Sequence, residues 1–215
     1  ISTVKSKYNY NSWLLVEINT TCYSALRVWF MAGGTEEIII NGAFRILDDK
    51  GHHFVDIKKI EEIYQLAPET GKNYFADNNA LLLRLATIEI DSLIKAIPAV
   101  QAAPSYNNVV SMMNFFIHWA QKYPYRFALI FRKWEDTLPE FEDMSTKAKD
   151  YIIKTFTSYA PRPIKGQTPE KIALLLWSTC IGALTLENMH LLAGEEAHTT
   201  NPEDLMLTIF SLLTK

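Results

Sequence analysis

The densest grouping of side chains able to hold a guest molecule lies between Val109 and Trp134. Phe115, Phe116, Trp119, Tyr123, Tyr125, Phe127, Phe131 and Trp134 recur there, with Met112 and Met113 beside them. Aromatics at helical spacing are first of all the material of a core. The same set also lines cavities for apolar or aromatic small molecules, which need only a few polar groups to orient the guest. His118, Gln121, Arg126 and Arg132 stand within the run and can supply them. A lone His on an apolar helix is more often a hydrogen-bonded core residue, so His118 adds little by itself.

Covalent chemistry has no comparable grouping. The chain lacks GxSxG, a P-loop, GxGxxG, HExxH and any Cys–His pairing, so neither an enzyme nor a cofactor is expected. Cys22 and Cys180 are the two cysteines, far apart and without metal-ligand spacing; they fit a reducing cytoplasm. His52-His53 falls in a turn and reads as solvated. Glu195, Glu196 and His198 lack a fourth ligand. The pairs Asp48-Asp49 and Glu61-Glu62 read as solvated faces, and no metal site is expected.

The elements that must position these groups are helical. Eight glycines in 215 residues and no sustained alternation of apolar and polar residues predict an all-α fold. Ile40, Ala43, Phe44 and Leu47 form a stripe that stops at Asp48-Asp49-Lys50-Gly51; Ile57, Ile60 and Ile63 form a second, shorter one. After Leu66-Ala67-Pro68 comes a short segment ending at Tyr74-Phe75. Asp77 then caps an amphipathic run with Leu81, Leu82, Leu85, Ile88 and Ile94 inward, stopped by Pro98. Two short helices held on a longer first one are the plan of a helix-turn-helix head.

Further on, Asn107 or Asn108 begins a helix that breaks at Tyr123-Pro124. Another helix covers 139–159, with Met144, Ala148, Tyr151, Ile152, Thr155 and Tyr159 on its stripe. Thr168-Pro169-Glu170 is a strong start: N-cap, Pro at the first helical position, acid in the first turn. The helix it opens, running to about Ala193, contains IALLLWSTCIGALTL, 15 residues without a charge. A bilayer needs about 20, so the run is too short to span one. A helix apolar on nearly all sides must be buried on nearly all sides, which requires a partner beyond the chain's own body. Asn201-Pro202 opens a last helix carrying Leu205, Leu207, Ile209, Phe210, Leu212 and Leu213. Two such helices paired with their copies make a four-helix homodimer interface.

Residues 35–85 resemble the DNA-binding head of TetR-type transcriptional repressors. Gly51 sits where that family ends its first helix, Val55 to Ile60 on its supporting helix and Pro68 to Tyr74 on its recognition helix. Phe75 to Leu82 matches the phrase Phe-x-x-Lys-x-x-Leu-Leu that opens the family's long fourth helix. Trp177-Ser178-Thr179-Cys180-Ile181-Gly182 resembles the Trp-x-x-x-His-Gly phrase of one TetR body subfamily, with Ile181 in place of the His. Four positions of the head depart from the pattern. Glu61 replaces a small Ala, Gln65 the Gly of the turn, Gly71 an apolar anchor and Asn78 a phosphate-directed Lys.

The resemblance implies a head over residues 31–80 and a ligand-binding and dimerisation body over 81–215, binding a pseudo-palindromic operator as a homodimer. Lys58 and Lys59 would approach phosphates; Thr70, Lys72, Asn73 and Tyr74 would face the groove or its backbone. Met112, Phe115, Phe116, His118, Trp119, Tyr123, Arg126, Phe127, Phe131, Trp134 and Trp177 would surround an apolar or aromatic effector. Charge points the other way. Residues 31–97 carry seven Lys or Arg against eleven Asp or Glu, whereas binding to DNA rests largely on phosphate neutralisation. An alternative is therefore a TetR-like dimer that has lost operator binding and acts as a small-molecule or protein-binding module.

The first thirty residues, rich in Asn, Ser, Thr, Tyr and Trp, show no helical stripe, and Met31 leads straight into the first helix as a natural start would. Glu17 and Arg27 interrupt the apolar stretch behind Lys5 and Lys7, so a signal peptide or membrane span fits poorly.

Overall fold

In the computed structural model the described residues are 34–96, 106–134, 139–157, 166–189 and 202–214, and they form eight α-helices and two 3-10 turns with no strand. The helices are α1 (Thr35–Lys50), α2 (Ile57–Ile63), α3 (Asn78–Ala96), α4 (Tyr106–Lys122), α5 (Pro124–Ile130), α6 (Pro139–Thr157), α7 (Pro169–Asn188) and α8 (Pro202–Thr214). The 3-10 turns are His52–Phe54 and Thr70–Asn73. The leader, the loop after Ala96, Tyr159 and the acids Glu195 and Glu196 with His198 lie outside the described residues.

Helix α1 buries Ile40, Ala43, Phe44 and Leu47, the whole expected stripe, together with Ile39. Its end is set by Gly51, whose φ of 90° lies in the left-handed region and whose N–H donates to the Leu47 carbonyl. Helix α2 crosses α1 so closely that a Cβ on Gly42 would meet the Tyr64 ring at 2.6 Å. Asp56 caps α2, accepting the N–H groups of Lys58 and Lys59. Ile57 and Ile60 point inward, but Ile63 is 63% exposed, on the outer face of a last turn whose Ile60 and Glu61 are buried.

Helix α3 is the central pillar, burying ten of its 19 residues against α1, α5 and α6. Asp77 caps it through the Ala80 N–H. Helices α4 and α5 are split at Tyr123-Pro124, Pro124 taking the first helical position. Helix α6 packs on α3 and α7, and α7 packs also on α4 and α8. Thr168 caps α7 through the Lys171 N–H; the Glu170 backbone N–H and the Thr168 hydroxyl hold the Glu170 carboxyl below its ordinary range. Ala173, Leu176, Cys180, Ala183 and Leu184 face the core from α7, and Met206 does so from α8. The opposite side of α7 exposes Leu174, Leu175, Leu186 and Met189, and Leu212 of α8 is 69% exposed. Burial pushes the Cys180 thiol up to about 12. No helix among the described residues is long and apolar enough to cross a membrane.

Candidate DNA head and aromatic body site

Helices α1 and α2 and the turn at 70–73, here called the head, pack in the outline of a helix-turn-helix. The expected recognition helix from Pro68 to Tyr74 does not form. In its place stands one 3-10 turn of four residues, Thr70–Asn73. The approach to it passes through Gln65 (φ 54°) and Glu69 (φ 66°), two non-glycine residues in the left-handed region. These bends use up the residues that a longer helix would need.

Two of the four family departures explain each other here. Glu61 is buried rather than solvated, and its carboxylate accepts the N–H of Gly71 at 2.6 Å and of Glu69 at 3.1 Å. A Cβ on Gly71 would lie 2.3 Å from Ile57 Cγ2 and 3.1 Å from Glu61 Oε1. An acid on α2 thus takes the room of the missing apolar anchor and replaces its hold with hydrogen bonds. Asn78, the third departure, turns to α2: its Oδ1 accepts the Ile57 N–H at 2.9 Å, bracing the start of that helix.

The residues expected at DNA are exposed or half-exposed. Lys58 and Lys59 are exposed at the first turn of α2, and Tyr74 is 45% exposed. Thr70 donates its hydroxyl to the Ala67 carbonyl and Asn73 is exposed at the end of the turn. Lys72 is paired with Glu69 at 2.6 Å. That hydrogen bond and the Lys72 charge hold the Glu69 carboxyl below its ordinary range and raise Lys72 above its own. Lys72, expected at the groove, already has a neutralising neighbour.

In the body the aromatic run divides. Phe116 is the hub: its ring lies 4.7 Å from Trp177, 5.5 Å from Trp119, and 6.2 Å from both Phe127 and Phe131. Met112 is buried and Phe115 packs partly buried against the core. Phe131 remains 41% exposed, so the cluster reaches the surface on that side. Two expected members fall elsewhere. His118 points outward, with Nδ1 2.7 Å from the Asn114 carbonyl oxygen. Trp134 pairs with Phe141 of α6 and lies under Arg132, 4.3 Å away. Helical geometry explains His118, which is on the face of α4 opposite the buried Phe116 and Trp119. Gln121 also leaves the cluster and ties α4 to Glu187 of α7.

Arg126 and Tyr123 serve a junction rather than the lining. Arg126 Nε and Nη2 clamp Asp48 at 2.7 and 2.6 Å, and Nη1 reaches Glu89 at 3.0 Å. The guanidinium lies over the rings of Tyr123 and Phe44, 4.5 and 4.8 Å from their centroids. Glu89, buried in mid-α3, also accepts the Trp119 indole N–H at 2.9 Å. Burial opposes the Arg126 charge, but the bonds to Asp48 and the two negative charges outweigh it and hold the group above its ordinary value. For Glu89 burial wins: it pushes the carboxyl up although Arg126 and Trp119 pull down. Two carboxylates share one cation, and the buried one, Glu89, has a single bond to it. Asp48, although exposed, is therefore a paired acid rather than a free one. Nearby, His52 stacks on His53 at 3.9 Å; burial, then His53 and Arg132, lower its pKa.

Sequence reasoning missed Glu61, Asp48, Asn78 and Glu89. A signal existed for two of them. Glu61 and Gly71 depart from the family pattern together, one larger and one smaller, and Glu89 is a lone acid in the apolar run ATIEI.

An all-helical fold whose first elements keep the outline of a helix-turn-helix, without its second helix, is what these elements define. Residues 109–208 match the family described as Tetracyclin repressor-like, C-terminal domain. The fold is similar to that of a protein of unknown function from Rhodococcus sp. RHA1: TM-score 0.70, 15% identity, 85% of this chain and 94% of that one covered. It is also similar to regulatory protein TetR from Rhodobacter sphaeroides, with a TM-score of 0.56, 10% identity and coverage of 83% and 96%. No curated protein matches the chain. The family match thus covers the body alone, residues 109–208.

Proposed function

We propose that the chain is a ligand-responsive TetR-type transcriptional regulator of the cytoplasm, acting as a homodimer on operator DNA. Its head would span residues 31–80 and its ligand-binding and dimerisation body 81–215. The observation that carries the reading is the head itself: α2 keeps its Asp56 cap, with Lys58 and Lys59 exposed side by side where a duplex backbone would pass. The Phe116–Phe127–Phe131–Trp177 cluster would receive an apolar or aromatic effector through the side left open at Phe131. The apolar outer side of α7, with Leu212 of α8, would be covered by a second copy, since monomers rarely expose so continuous an apolar patch.

A second reading is a TetR-like dimer that no longer reads an operator and acts as a small-molecule or protein-binding module. One observation favours it: the recognition element is a single 3-10 turn whose Lys72 is paired with Glu69. Selection of bound fragments from a random duplex library at low salt separates the two. Enrichment of a two-fold sequence supports the regulator. No enrichment by folded dimer freed of co-purified ligand supports the module.

A further inference from the structure

Four side chains from four helices meet where α1 rests on the body. Asp48 lies in the last turn of α1, Glu89 midway along α3, Trp119 on α4 and Arg126 in the first turn of α5. Arg126 bonds to both carboxylates, and Trp119 bonds to the one that is buried. The Arg126 and Glu89 side chains retain only 12% and 5% of their exposure, whereas Asp48 keeps 34%. One guanidinium faces two carboxylates in a place with little water to settle the imbalance.

We propose that this cluster is a proton-linked latch between head and body. With Glu89 neutral, Arg126 belongs wholly to Asp48 and seats α1. With Glu89 ionised, Arg126 is divided, and the cluster carries one uncompensated negative charge. Seating of the head and protonation of Glu89 are then two sides of one equilibrium, each biasing the other by the same factor. The latch does not depend on whether the head reads DNA.

The neighbours are consistent with this. The charges acting on Glu89 are Arg126, which lowers its pKa, and Asp48, which raises it. Tyr123, the N-cap of α5, offers its ring to Arg126, and Lys122 at the end of α4 lies 5.2 Å from the same ring centroid. Of the other acids on α3 and α6, Asp91 pairs with Lys95, Glu140 with Arg84 and Asp143 with Lys147. Trp119 links the latch to the aromatic cluster, because its ring contacts Phe116 while its N–H is bonded to Glu89. A guest that displaces Trp119 would remove a bond that stabilises ionised Glu89.

Because burial sets the folded pKa of Glu89 above its unfolded value, its contribution to stability is fully present at low pH. That contribution is lost as pH rises through the folded pKa. The Trp119 indole N–H is a direct reporter of this step. Its NMR resonance, assigned by its loss in Trp119→Phe, is to be followed in the full chain from about pH 4 to about pH 9. The latch predicts one titration with a midpoint above the ordinary glutamate range, absent in Glu89→Gln. In Asp48→Asn the midpoint moves to lower pH by roughly one unit, since Arg126 is then free to serve Glu89. A flat Trp119 resonance in the parent overturns the proposal. An unchanged midpoint in Asp48→Asn, a variant at a half-exposed position, overturns the link to the head.

Discussion

Glu61 and Gly71 act as one unit, and neither can be understood alone. The carboxylate closes over the start of the 70–73 turn and satisfies two backbone donors, while the glycine leaves room for it beside Ile57. Glu61→Ala removes the acceptor of a buried N–H and should lower stability by about 1–3 kcal/mol. Glu61→Gln, which keeps one acceptor oxygen, should lose less. Urea unfolding of the three proteins measures the order, and equal stability of Glu61→Ala and the parent would dismiss the unit. Cys180 allows a second residue-scale prediction. Its thiol, buried and raised to about 12, stays protonated at neutral pH. In a Cys22→Ser background it should resist thiol reagents until the chain unfolds, as followed by mass spectrometry. Both roles were hard to read in the sequence. Glu61-Glu62 has the look of a surface pair, and its partners lie eight and ten residues away across a turn, beyond any local periodicity.

At the level of elements, what is local was legible and what is bent by distant contacts was not. The stripe of α1, the Gly51 stop, the Asp77 and Thr168 caps and the break at Pro124 follow from neighbours within one or two turns. The recognition element failed because left-handed backbone at Gln65 and Glu69 cannot be inferred from residue types that ordinarily avoid it. The aromatic run was legible as a cluster, but its division depended on which face of α4 each side chain occupies. Helix α7 was expected to need cover on two sides, and its exposed outer side offers a sharp test. Gly182 lies there with nothing within 4 Å of an added Cβ. Gly182→Arg should therefore leave the protomer folded, with the helix favoured by about 1 kcal/mol through propensity alone. If that side is the dimer contact, sedimentation should show the variant as a monomer and the parent as a dimer. A variant that remains fully dimeric would remove α7 from the interface.

Across the whole molecule, Arg126 ties α1 to α3 through Asp48 and Glu89. Arg126→Met strips the cation from two acids, one of them buried, and should cost about 3–5 kcal/mol at neutral pH. The loss should shrink as pH falls and Glu89 takes up its proton; a loss independent of pH would mean that Glu89 is neutral throughout. The aromatic cluster lies one bond away from this junction through Trp119. An apolar aromatic compound bound there should quench tryptophan emission and raise the melting temperature by mass action. Phe131→Ala should abolish both effects while leaving the fold intact, because Phe131 is already 41% exposed. Compounds that raise the melting temperature equally in parent and variant would bind elsewhere.

The claim that this chain acts on DNA rests on few cations: Lys58 and Lys59 in each head, with Lys72 held by Glu69. Two heads then engage about four phosphates, so the logarithm of affinity should fall with the logarithm of salt at a slope of about −4, shallow for such a regulator. Sedimentation of the protein with a fluorescent duplex chosen by selection measures this most directly, reading stoichiometry and salt dependence together. The account predicts two chains on one duplex at low salt, released along that shallow slope and lost in Lys58→Glu with Lys59→Glu. A folded dimer that leaves the duplex sedimenting free at the lowest salt would contradict it.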